Sequence, residues 1–137
     1  MRAFSGASLG MAALALSVSV GCSQVGQVQA KRSFKAANAA YQAQDYKKAA
    51  GLYEETLKAD PSLSIAYFFL GNSLDNMYKP SKAGQADNDA LLTRAVQNYE
   101  TCAEKLGSSQ IEDEKKLAKL SLEYLDRKST RLNSSHT

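Results

Sequence analysis

The chain has 137 residues, 44% hydrophobic and 23% charged, which is room for one small domain with a real core and not for several. Its formal charge of +3 comes from Arg2 and from Arg127, Lys128 and Arg131 near the end, offset by Asp126; between them thirteen basic residues face thirteen acidic ones. A balanced, interspersed pattern has no basic face, so nucleic acid is excluded as a partner.

In chain order, the first segment is a single positive charge, Arg2, followed by uncharged Ala3 to Val20, rich in Ala, Leu, Val, Ser and Gly. Such a run is just long enough to span a bilayer, but it closes on Ser19-Val20-Gly21-Cys22, small residues leading into a cysteine. That ending resembles a lipobox. The resemblance implies a lipoprotein signal peptide over residues 1–21, cleaved so that Cys22 becomes the acylated, membrane-anchored terminus. One acyl chain holds weakly, so several are needed for a firm anchor. Ser23 stands where Asp often signals inner-membrane retention, so the expected address is the cell envelope, facing the periplasm, with the outer membrane favoured. Residues 22–30, polar, small and aperiodic, read as a flexible tether.

From Lys31 onward alanine, leucine and tyrosine recur at helical spacing, and the only prolines are Pro61 and Pro80: an all-α domain over 31–125. Internal repetition is the strongest signal. Phe34, Ala37 and Asn38 align with Phe68, Gly71 and Asn72 at an offset of 34, and Ala49, Tyr53 and Glu54 with Ala95, Tyr99 and Glu100 at an offset of 46. Two helical hairpins are therefore predicted, the second carrying about twelve extra residues between its helices. The predicted helices are 31–43, 46–59, 62–77 and 89–105, with the insert near 78–88 and a cap from Asp87, Asn88 or Asp89. Asp60-Pro61 ends the second helix, because proline disfavours helix in the residue before it. A fifth helix, about 111–125, is the first helix of a third unit, with Glu112, Asp113 and Glu114 suiting the dipole at its start.

Residues 126–137 break that pattern. Asp126 to His136 resemble the translation of a common sequencing adapter, which implies a non-native tail carrying the sole histidine. Cys102 falls at a helix-packing position and reads as a small buried hydrophobe, without metal-ligand spacing around it.

Asp45 to Pro61 (DYKKAAGLYEETLKADP) and Ile65 to Tyr78 (IAYFFLGNSLDNMY) resemble the second and first helices of the tetratricopeptide repeat. The resemblance implies an α-solenoid of two repeats plus the first helix of a third. Ala49, Tyr53, Gly71, Ala95, Tyr99 and Cys102 would then be the repeat-packing positions. In that family the first helices line a groove that binds extended peptides. The matching residues here are Phe34, Asn38, Tyr41 and Gln42 from one unit and Phe68, Asn72, Asp75 and Asn76 from the next. Carboxylate-clamp members place lysine where Phe34 and Phe68 stand, which argues against recognition of a free C-terminus.

No nucleophile elbow, phosphate loop, dinucleotide fingerprint or convergent acid/base pair is present in the sequence, and Asp87-Asn88-Asp89 lacks the glycine and glutamate of a calcium loop. The expectation is a membrane-tethered protein- or peptide-binding scaffold, with no cofactor, no metal and no catalysis. Its rival is a structural spacer or oligomerisation fragment of a larger envelope protein.

Overall fold

The structure, a computed structural model, describes residues 19–134 and the side chains of residues 24–128; residues 1–18 of the expected signal segment and the side chain of Cys22 lie outside them. Among the described residues there are five α-helices, α1 (Ser19–Gln42), α2 (Tyr46–Ala59), α3 (Ile65–Met77), α4 (Ala86–Leu106) and α5 (Glu112–Ser134), with one 3-10 turn at Pro80–Lys82 and no strand. Each helix packs on the next along the chain, and α3 also touches α5. None of these helices is long and apolar enough to cross a membrane.

Local chemistry explains the boundaries. The Asp45 carboxylate caps α2 by accepting from the Lys48 N–H at 3.1 Å, after a tight turn in which Gln44 adopts the left-handed conformation (φ 59°). At the other end Asp60 is extended, as the following Pro61 requires, and its carboxylate accepts from the Ser62 N–H at 3.0 Å. That turn delays α3 to Ile65, three residues later than the sequence predicts. The insert is pinned rather than loose. Asn88 donates to the Lys79 carbonyl (3.0 Å) and accepts from the Lys79 N–H (2.9 Å), while Asp89 accepts from Gly84, whose φ of +89° needs a glycine. Those residues sit inside the first turn of α4, which starts at Ala86 after Gln85, so Asn88 and Asp89 tie the insert down, and none of Asp87, Asn88 and Asp89 is the cap.

Two extensions correct the sequence reading. Residues 22–30, expected as a tether, are helical and belong to α1, which begins at Ser19. Gly26 lies so close to the Ala59 carbonyl that a Cβ there would stand 2.9 Å from the oxygen, and Ala30 is fully buried one turn on. Small residues at helical spacing are what a close helix contact demands, and here they pack instead of loosening the chain. At the other end α5 runs on to Ser134, past the predicted stop at Leu125. The stretch has no Gly or Pro to break it, and Arg127 lies over the Tyr124 ring at 4.3 Å.

The core runs through all five helices. Ala37, Ala40, Ala49, Ala50, Tyr53, Ala66, Phe68, Leu70, Leu74, Ala95, Tyr99, Cys102, Leu106 and Ala118 are its buried members. Ala49 and Tyr53 of α2, and Ala95 and Tyr99 of α4, are fully buried, with the ring one turn beyond the small residue. Gly71 is the point of closest approach between α3 and α4: a Cβ there would lie 3.2 Å from both the Ala95 carbonyl and the Tyr99 ring. Gly51 faces open space on an exposed helix surface. Gly71→Val is therefore expected to lower stability by about 1–3 kcal/mol through overpacking. Gly51→Ala should raise it by about 0.5–1 kcal/mol through helix propensity. Denaturant unfolding of the two variants, followed by circular dichroism, checks both; a Gly71→Val protein as stable as its parent would contradict the close approach.

Candidate functional site

The polar residues singled out by the sequence lie on α1 and α3, and a chain of side-chain hydrogen bonds links these helices to α5. Tyr41 of α1 donates from its hydroxyl to Asn72 Oδ1 of α3 at 2.6 Å. Asn72 Nδ2 in turn donates to the Tyr124 hydroxyl of α5 at 3.2 Å. Asn76 Nδ2 reaches back one turn to the Asn72 carbonyl and Oδ1, both at 2.8 Å. Asn38 accepts from the Tyr53 hydroxyl at 2.7 Å, tying α1 to α2. Buried hydroxyls and amides need such partners, and here they find them in one another.

The arrangement shows what each predicted groove residue does. Phe34 is half-buried, edge-on to Tyr53 at 5.9 Å, and Phe68 is buried against Phe69, Tyr99 and Tyr124. Asn38 and Asn72 use their amides between helices. Asn76 and Gln42 are exposed. Asp75 is partly buried and pairs with Lys128, beside a small cavity of about 120 Å³ that Tyr124 and Arg127 also line. That lysine belongs to the stretch the sequence reading sets aside as non-native.

The packing positions form a second, apolar system. Tyr53 stacks on Phe69 with ring centroids 5.9 Å apart and planes 17° off parallel, and Tyr99 stacks on Tyr124 at 4.7 Å and 4°. A ring on the second helix of each hairpin thus meets a ring on the helix that follows. Phe69 and Tyr124 are 55 residues apart, as are the buried pair Ala66 and Ser121 and the pair Leu70 and Leu125. Sequence reasoning missed Tyr124 and Phe69; the offset of 55 was the signal for both, hidden by the longer approach to α5.

Burial dictates the electrostatics. It pushes the Tyr53 phenol far above the ordinary tyrosine range, helped by Tyr41 nearby. Tyr99 is raised further, by burial and then by the Asp75 carboxylate, and its hydroxyl makes no hydrogen bond of good geometry. Tyr41 is raised by burial and by Tyr46 and Tyr124. Burial also raises the Cys102 thiol, against weaker opposing bonds from Ser121 and the Phe68 backbone, so it stays protonated and packed. Among the described residues no three His, Cys, Asp or Glu side chains converge as a metal site would require. Compared with known proteins, the chain matches no family model, no curated protein and no solved structure at significant similarity.

Two outcomes follow. Asn38→Ala leaves the buried Tyr53 hydroxyl without its acceptor and should cost about 1–3 kcal/mol, whereas adding Tyr53→Phe should recover part of that loss. Additive costs in the denaturant-unfolding cycle would show that the bond is not formed. The raised phenols also set a pH dependence. Above about pH 10 tyrosines ionise in the unfolded chain while the folded state keeps Tyr53 and Tyr99 protonated, so the unfolded state binds fewer protons and stability falls as pH rises. Denaturant midpoints measured from pH 9 upward should decline, and the decline should shrink in a Tyr53→Phe variant.

Proposed function

We propose that this chain is a membrane-tethered interaction module of the tetratricopeptide type, holding a protein or peptide partner against the α1–α3–α5 face. One observation supports the reading: the ring-on-ring contact between successive hairpins occurs twice, and a chain of hydrogen bonds joins the first helix of each unit, α1, α3 and α5. A scaffold whose helices are stapled by internal hydrogen bonds presents its exposed side chains already ordered, which lowers the entropy lost on binding. With Asn38 and Asn72 engaged inside the protein, the groups offered to a partner are Asn76, Gln42 and the outer edge of Asp75, framed by Tyr41 and Tyr124. Cleavage at the lipobox-like Ser19 to Cys22 would leave acylated Cys22 as the tether, and the cell envelope, facing the periplasm, is the compartment. No cofactor, nucleic acid or catalytic step enters this reading.

A spacer or oligomerisation element is the second reading, favoured by those same internally spent amides. Photocrosslinking separates the two. A photoreactive residue at Asn76 is expected to trap a discrete partner in envelope preparations, and the same residue at Lys58, exposed near the end of α2, is expected to trap none. Equal adducts at both positions, or none at position 76, would overturn the groove and favour the spacer.

A further inference from the structure

The outward face of α1 has a composition that neither the core nor the α1–α3–α5 network uses. Val25 and Val28 are among the most exposed large hydrophobics of the described chain, at 68% and 52%. Arg32 and Lys35 follow at the next helical positions and are exposed too. Spacings of three, four and three residues put these four on one stripe of a helix. Gly26, Ala30 and Ala37 lie on the opposite side, toward the α2 packing.

The charge is one-sided as well. No acidic residue occurs before Asp45, while Lys31, Arg32 and Lys35 cluster within two turns. The stripe is thus apolar just after Cys22, the expected anchor, and cationic from Arg32, about 10 Å beyond Val25 along the helix at 1.5 Å rise per residue. Apolar side chains beside long cationic ones, with no carboxylate between them, complement a bilayer surface. Valines enter the acyl boundary, and Arg and Lys stems reach along it to phosphate headgroups.

We infer that the Val25–Val28–Arg32–Lys35 stripe of α1 docks the domain directly on an anionic phospholipid bilayer, so that the domain lies against the membrane and does not hang from a loose linker. The helical continuity of residues 23–30 with the rest of α1 makes this posture possible, since a rigid helix carries the orientation of its first turns into the hairpin it opens. The inference is separate from the groove reading, because none of its four residues takes part in the α1–α3–α5 hydrogen bonds.

The chain contains no tryptophan, so Val28→Trp introduces a single reporter at an exposed position, Val25→Trp a second on the same stripe, and Leu122→Trp a control on an exposed part of α5. The full chain is reconstituted into vesicles of phosphatidylglycerol with phosphatidylethanolamine, or of phosphatidylcholine alone. On the anionic vesicles the reporters at 25 and 28 should emit to the blue and be quenched by brominated lipid, and the control should not. Arg32→Glu with Lys35→Glu should remove the effect, each lost cation lowering the docked-to-undocked ratio about fivefold, while adducts at position 76 persist. Water-like emission at both reporters on anionic vesicles, equal quenching on phosphatidylcholine, or equal quenching of the Leu122 control would overturn the proposal. A blue shift that appears without vesicles and grows with protein concentration would also overturn it, assigning the stripe to a second copy of the chain.

Discussion

Everything in this fold is arranged around a tyrosine ring laid over the place where two helices come closest. Ala49 and Ala95 let the paired backbones approach, and Tyr53 and Tyr99, one turn on, fill the space that small residues leave. A ring of that size admits little variation in helix separation, so the geometry of each hairpin is set locally. The outer edge of the ring then meets the next helix, at Phe69 and at Tyr124, which passes the same geometry along the chain. The hydroxyls are the cost of using tyrosine in a dry contact. Tyr53 meets that cost through Asn38. The Tyr99 hydroxyl finds no partner of good geometry, although Asn72 lies nearby, and its ring stacks closely on Tyr124.

How much of this was legible in the sequence depended on whether a boundary had its own chemistry. Tyr46–Ala59 reads correctly to the residue because Asp45 and Asp60-Pro61 are capping and breaking signals that act without tertiary help. The start of α1 was misread because Gly26 and Ala30 mean linker or close packing depending on what lies opposite, and the Ala59 carbonyl becomes a neighbour only once the chain folds. The end of α5 was misread for a related reason: polar residues without Gly or Pro carry no stop signal of their own. The buried small and aromatic positions were legible through their repetition, at offsets of 34 and 46.

The polar face was legible only as a list of residues. An asparagine at a first-helix position can serve a ligand or a neighbouring helix with the same amide, and periodicity does not distinguish the two. The deciding fact is the position of tyrosine hydroxyls 15, 31 and 52 residues away. Tyr124 in particular completes the network from a helix whose register relative to the earlier units is shifted, so no alignment of the first two hairpins reveals it.

That division of labour constrains any partner of the α1–α3–α5 face. Side chains that hold the helices together cannot also release their bonds to a ligand without leaving buried hydroxyls unpaired, which costs more than a surface contact returns. Recognition on the proposed reading therefore falls to the exposed rim, Asn76 and Gln42, and to the charge of Asp75. The aspartate is neutralised from α5, by Lys128, three residues beyond Leu125. The electrostatic character of the face, and on the proposed reading the class of peptide it would prefer, is thus governed by whichever side chain the last turns of α5 place opposite Asp75. A cation there leaves a near-neutral face suited to backbone contacts, and a neutral residue leaves a carboxylate able to select basic partners.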